Sequence, residues 1–417
     1  MDRPVSDVVE RFMRYVQIDS QSDPTKTSVP STSCQFDMAY EVADDLRALG
    51  CDDVQVDEHA YVTASFPASP AAVDLPALGF CCHLDTSFDA PAQGVSPHIV
   101  HYEGGNLVAG IVDGKQIYTT PEQCPYLNEF IGEDIICSDG STLLSVDDKA
   151  GVAEIISLIA RYQKNPELAH PCIKLCFVPD EEMGHGARLL DLDKFGATWA
   201  YTIDSGCLGK FNYECFCASW ATITVHGTVV HTGSAKNIMV NAITLLAEFD
   251  SMLPAAQRPE YTEGYEGFFH PTDISGTALH AEAKYIIRDF DEDAFDKRQE
   301  LLYEIAEFMN KRYGEGTVEV EIVGQYMNMA RGFKDCPFLI DNALDAYRQM
   351  GIQPQVGPIR GGTDGAQLTL RGLPCPNLAT GGTQAHSVRE FIPVRGLETT
   401  VDMLEVLCAK FAVPQKA

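Results

Sequence analysis

Positive charge is what this sequence most lacks. Its 417 residues carry 30 Lys and Arg against 60 Asp and Glu, a formal net charge of -30. Such a surface repels nucleic acid and anionic membranes. Other absences narrow the class further. No apolar run approaches the roughly 20 residues that a membrane-spanning helix needs. The 14 cysteines form no C-x-x-C pair, and Cys81, Cys82, Cys176 and Cys408 sit inside apolar runs. That pattern suits reduced thiols in a core rather than a disulfide framework. Met1-Asp2-Arg3-Pro4 lacks the basic-then-apolar order of a secretion signal, so a soluble cytoplasmic protein is expected. There is no internal repeat and no P-loop spacing. Arg360-Gly361-Gly362-Thr363-Asp364-Gly365 is therefore not read as a nucleotide cradle.

What is present is a chain too long for one core. Two domains are expected, because single cores stop growing at roughly 250–300 residues. Apolar periodicity predicts helices over residues 5–18, 33–49, 150–163, 241–253, 292–313, 336–349 and 396–411. Strand-like runs fall at 53–56, 61–66, 76–82, 173–178 and 199–203, with a long irregular excursion over 87–140. Residues 218–226, 274–280, 283–290 and 317–323 read as strands around two of those helices. Their order, β-α-β-β-α-β, is the ferredoxin-like split unit. The expectation is an α/β fold over residues 1–212 and 326–417, with a smaller α+β domain inserted at 213–325.

The stretch that organises the rest is Leu143-Leu144-Ser145-Val146-Asp147-Asp148-Lys149-Ala150-Gly151. It reads as strand, acidic corner and helix. Three further apolar runs also end in candidate ligands: His83 with Asp85, Glu181 with Glu182, and Asp204. Acids and histidines gathered at the carboxyl ends of strands point to a site at a sheet edge. His83, Asp147, Glu182, Asp204 and His386 form a donor set for two divalent metals, with Asp147 as the shared carboxylate. Asp85 is placed to orient His83. Glu181 is placed to move a proton between water and a leaving amine. Asp180 reads as an ordinary exposed acid, and His59, His98, His101, His170, His185, His226 and His280 read as structural.

The stretches around His83, Asp147, Glu181, Asp204 and His386 resemble the co-catalytic zinc peptidases of the M20 group. Glu263-Gly264-Tyr265-Glu266-Gly267-Phe268-Phe269-His270, Tyr285-Ile286-Ile287-Arg288-Asp289 and Ile359-Arg360-Gly361-Gly362-Thr363-Asp364 narrow the resemblance to its tripeptide aminopeptidases. The resemblance runs from about residue 8 to about residue 410. It implies a catalytic domain with a mixed central sheet flanked by helices, and an inserted lid or dimerisation domain. It also implies two Zn2+ per subunit. His83 and Asp204 would complete one zinc, Glu182 and His386 the other, and Asp147 would bridge them through a corner with a cis Asp147–Asp148 peptide. His231 would steady the developing oxyanion, although Thr232 stands where the family usually has proline. Ser205-Gly206-Cys207 likewise replaces a run of glycines. Reading both ends of a tripeptide calls for an arginine fork on the carboxylate. Arg288 and Arg360 are the candidates, with Asn241 as a polar helper. The implied partners are small peptides and a second copy of the chain through the inserted domain.

Two functional classes compete: a two-zinc tripeptide aminopeptidase, and a scaffold that keeps the metals without turnover. Among enzymes the alternative is another M20-type dipeptidase, carboxypeptidase or deacylase. The presence of both Glu181 and Glu182 favours an enzyme, since a scaffold needs no proton carrier.

Overall fold

The computed structural model describes residues 5–415, so Met1-Asp2-Arg3-Pro4 lies outside the described residues. The chain divides into two compact units. One comprises the chain up to Tyr213 with Gly332–Gly357 and Thr363–Ala417; the other comprises Glu214–Arg331 and Pro358–Gly362.

The first unit is built on an eight-stranded mixed sheet. Its middle is parallel: Ile173–Val178, Leu78–His83, Trp199–Ile203 and Asn377–Leu378 lie side by side, with His83 opposite Val178. All six residues of Leu78–His83 are buried. A strand covered on both faces carries a continuous apolar run rather than an alternating one. The helix Val146–Lys164 buries Val152, Ile155, Ile156, Leu158 and Ile159. Such side chains each contribute about 1.5–3 kcal/mol when removed from water. Gly151 lets this helix seat tightly, because a Cβ there would lie 2.5 Å from the Ile203 carbonyl oxygen and 2.6 Å from Cys82 Sγ.

The strand expected to lead into Asp147 is absent. Leu143, Leu144 and Ser145 are irregular, and the preceding strand, Glu133–Cys137, belongs to a separate three-stranded sheet with His98–Tyr102 and Phe391–Pro393. Main-chain N–H groups of the corner bond to a side chain instead of a neighbouring strand, as described below. The helix also opens irregularly. Ser145 is left-handed (φ 68°), Asp147 and Asp148 are non-helical, and the peptide between them is cis.

The second unit is a four-stranded antiparallel sheet in the order Phe268–Gly276, His280–Asp289, Cys217–His226, Val318–Tyr326. Helices Ala242–Met252 and Glu292–Tyr313 supply Leu246, Phe249, Phe295, Leu302, Ile305 and Met309 to a core with Ile223, Tyr285 and Ile287. Each helix has a side-chain cap at its start: Asn241 accepts from Ile243 and Thr244 N–H, and Asp291 from Ala294 N–H. The strands expected at 274–280 and 283–290 begin earlier. Pro271 and Asp273 break the alternation at a bulge, and a bulge with proline is tolerated on an edge strand such as this one. Residues 358–362 return to this unit, where Ile359 N–H donates to the Glu214 carbonyl at 2.9 Å.

Candidate metal centre

Three parallel strands of the first unit deliver their carboxyl ends to one place. His83 closes its strand, Glu181 and Glu182 follow Val178, and Asp204 follows Ile203. Asp147 comes from the irregular helix start and His386 from the loop after Leu378. Two donor groups result: His83, Asp147 and Asp204, and Asp147, Glu182 and His386, each with ligand atoms within 4.8 Å of one another. Asp147 is common to both and turns one oxygen to each. Its Oδ1 lies 2.7 Å from His83 Nε2, and its Oδ2 lies 3.6 Å from His386 Nε2. His83 Nε2 is 3.9 Å from Asp204 Oδ1, and His386 Nε2 is 3.0 Å from Glu182 Oε2.

Both imidazoles are oriented through their other nitrogen. His83 Nδ1 meets the main-chain oxygen of Asp85 at 3.0 Å, and His386 Nδ1 meets Asp89 Oδ2 at 2.8 Å. A hydrogen bond at Nδ1 fixes each ring with Nε2 facing the carboxylates, the orientation in which a histidine can offer Nε2 to a cation. Asp85 lies against His83 Nδ1, as expected, and makes further bonds. Its carboxylate is 3.4 Å from His83 Nδ1 and accepts the Glu181 and Glu182 N–H groups at 3.0 and 3.3 Å. It therefore ties the two glutamates to the histidine strand.

Asp180 departs from the sequence reading. It is fully buried rather than exposed, with a left-handed backbone (φ 52°). Its carboxylate accepts Ser31 N–H at 2.6 Å, Ser31 Oγ–H at 2.5 Å and Gln35 Nε2–H at 2.7 Å. These bonds fasten the Glu181–Glu182 turn to the segment that enters the Gln35–Ala48 helix. Backbones in sparsely populated regions collect at functional sites. Ser145, Asp180 and His386 (φ 63°) are all of this kind here.

The charges in the cluster work against one another. Burial pushes the carboxyls of Asp204, Glu181 and Glu182 above the usual range. Burial also acts to raise Asp147, but hydrogen bonds from His386 and His83 hold it below that range. The same contact with Asp147 is the main cause that lifts His386 to about 11. Glu182 Oε1 is buried without a hydrogen-bond partner. An orphaned carboxylate oxygen is costly in a protein interior. Two nitrogen-and-oxygen donor groups sharing one carboxylate, with that oxygen left over, fit a pair of divalent cations.

Of the other predicted residues, His231, Asn241, Arg288 and Arg360 belong to the second unit. His231 Nδ1 accepts Gly233 N–H at 3.1 Å, which assigns the ring proton to Nε2. The Asn241 side-chain oxygen is engaged as a helix cap. Arg360 donates to the Thr262, Gly264 and Glu266 carbonyls and to Thr262 Oγ1, with its guanidinium over Phe216 and Phe268. These contacts brace residues 262–266. Arg288 lies over the Tyr326 ring at 5.5 Å and has no carboxylate partner among the described residues. One residue that the sequence did not signal is Glu390. Its carboxylate, 1% exposed, accepts the N–H groups of Leu144, Ser145 and Asp147. A lone acid before Phe391-Ile392-Pro393 carries no recognisable pattern.

The chain is 42% identical over 98% of its length to peptidase T of Clostridium acetobutylicum, covering 100% of that protein. It is 44% identical to peptidase T of Caldanaerobacter subterraneus subsp. tengcongensis, covering 96% of this chain and 97% of that one. The chain belongs to the peptidase T family. Residues 213–317 match the family described as a peptidase dimerisation domain. The fold is shared with the aminopeptidase PepT of Bacillus cereus at a TM-score of 0.75 and 23% identity, covering 98% of each chain. A dinuclear metal-binding M20 peptidase of Bacillus subtilis aligns at a TM-score of 0.65 and 14% identity, covering 97% of each chain. The peptidase T fold thus has its mixed central sheet, flanking helices and ferredoxin-like insertion in this chain.

Proposed function

We propose that the chain is a two-zinc aminopeptidase that removes the N-terminal residue from tripeptides. The observation that carries this reading is the pair of donor groups joined through Asp147, with Glu181 beside the candidate ligand Glu182. Support for the substrate class comes from the peptidase T relatives. His83 and Asp204 would hold one zinc, Glu182 and His386 the other, with Asp147 shared. Bound there, the ions would polarise the scissile carbonyl and lower the pKa of water towards about 7. Glu181, whose carboxyl burial raises above the ordinary range, takes the proton of the attacking water and delivers it to the departing amine. His231, with its proton on Nε2, is the donor assigned to the oxyanion. Arg288 suits the substrate carboxylate better than Arg360, whose guanidinium is already committed to main-chain oxygens. The dimerisation-domain match supports pairing of two chains through the second unit, which light scattering tests. A reducing compartment suits the fourteen free thiols, and no helix among the described residues is long and apolar enough to cross a membrane.

The experiment is a comparison of di-, tri- and tetrapeptides with free and blocked N-termini, using zinc-loaded protein. Fastest release of the first residue from free tripeptides is expected. Cleavage of blocked peptides, or no hydrolysis at any pH, would overturn the reading.

A further inference from the structure

Glu390 holds the main chain of the Asp147 corner, a task that none of the residues above performs. Its Oε2 accepts Leu144 N–H at 2.9 Å and Ser145 N–H at 2.7 Å, and its Oε1 accepts Asp147 N–H at 3.0 Å. The left-handed Ser145 turns successive N–H groups to one side, and such a concavity binds an anion. Glu390 is also tied to the other side of the site. Thr383 and Phe391 exchange both main-chain hydrogen bonds, at 3.1 and 3.2 Å, and so close the loop that carries His386 and Glu390. Phe391 and Ile392 then pair with Cys137 and Ile136. One pinched loop therefore supplies both His386 and the carboxyl group that holds the Asp147 corner.

The geometry points to Glu390 as the positioning residue of the centre: it sets the Asp147 corner so that one carboxylate oxygen faces each donor group, and so links the His386 side to the His83 side. The hydrogen bonds of the Glu390 carboxyl go to main-chain N–H groups and not to a candidate ligand side chain. It acts through the main chain of Asp147. The inference rests on the two-metal reading.

The test is titration of the full-length, metal-free protein with cobalt(II), following both affinity and the visible spectrum. In the wild type two cobalt ions per chain are expected. Glu390→Gln keeps the volume but replaces one accepting oxygen with an amide that faces N–H donors. The expected result is metal-free protein with unchanged circular dichroism, cobalt affinity reduced roughly 10- to 100-fold, and an altered cobalt spectrum. Wild-type affinity and spectrum in Glu390→Gln would overturn the positioning role while leaving the two-metal reading intact. Fewer than two cobalt ions in the wild type would instead remove the reading beneath it. Glu390→Ala deletes the acceptor altogether and should weaken cobalt binding further. Loss of fold in both metal-free variants would show that Glu390 serves stability alone and would overturn the proposal.

Discussion

Replacing Gly151 by alanine isolates the packing that sets the centre's scaffold. A methyl group there would lie 2.5 Å from the Ile203 carbonyl oxygen, 2.6 Å from Asp148 Oδ1 and 2.6 Å from Cys82 Sγ. Each distance is well inside the ordinary contact range that begins at 3.4 Å. Two of the three neighbours belong to central strands, so relief requires the helix to move. Overpacking of this kind costs about 1–3 kcal/mol, and the rigid surroundings place it near the upper end. Alanine returns about 1 kcal/mol through its better helix propensity. The net loss is about 2 kcal/mol, or roughly 4–8 °C in melting temperature on the scale of 150–250-residue domains. Calorimetry on the metal-free protein measures the shift. Because the helix carries Asp147 at its start, zinc-dependent hydrolysis should fall in the same variant. An alanine variant that melts at or above the wild-type temperature with full activity would refute the close seating of helix on sheet.

Three further outcomes follow from other parts of the molecule. Glu181→Gln should lower kcat by roughly 10²–10⁴-fold while zinc content stays at that of the wild type, as steady-state kinetics and metal analysis will show. Asp180→Asn loses part of the bonding to Ser31 and Gln35 and should cost about 1–3 kcal/mol in urea unfolding, with reduced turnover. His170 is buried against Tyr162 at a ring separation of 4.1 Å, and burial lowers its pKa. Its contribution to stability is complete above the unfolded value of about 6.5 and is lost as pH falls below it. His170→Phe should therefore show a flatter decline in urea midpoint between pH 7 and pH 5; parallel declines would contradict this.

How much of this was legible depended on whether local pattern or distant contact decided the structure. The helix Glu292–Tyr313 and the strands Ile173–Val178 and Trp199–Ile203 carry their own periodicity, and they form where the pattern predicts. The β-α-β-β-α-β order was equally readable, because each of its elements alternates or repeats on its own. The Asp147 corner was not. Leu143 and Leu144 look like a strand, but the partner for their neighbourhood is Glu390, more than two hundred residues away. Asp180 misled for the same reason: its carboxylate is satisfied by Ser31 and Gln35 rather than by water. The donor residues themselves were legible as acids and histidines after apolar runs. The shared place of Asp147 was legible too, and what distance adds is that His83 Nε2 and His386 Nε2 lie on opposite oxygens of its carboxylate. Arg360 shows the converse, since its type suggested a substrate fork and its contacts make it a loop brace.

The most direct measurement is anomalous diffraction at the zinc edge from crystals of the zinc-loaded chain. The account predicts two strong peaks, one among His83, Asp147 and Asp204 and one among Asp147, Glu182 and His386, each approached by a different oxygen of Asp147. A single peak, or two peaks with Asp147 bound to neither, would contradict it.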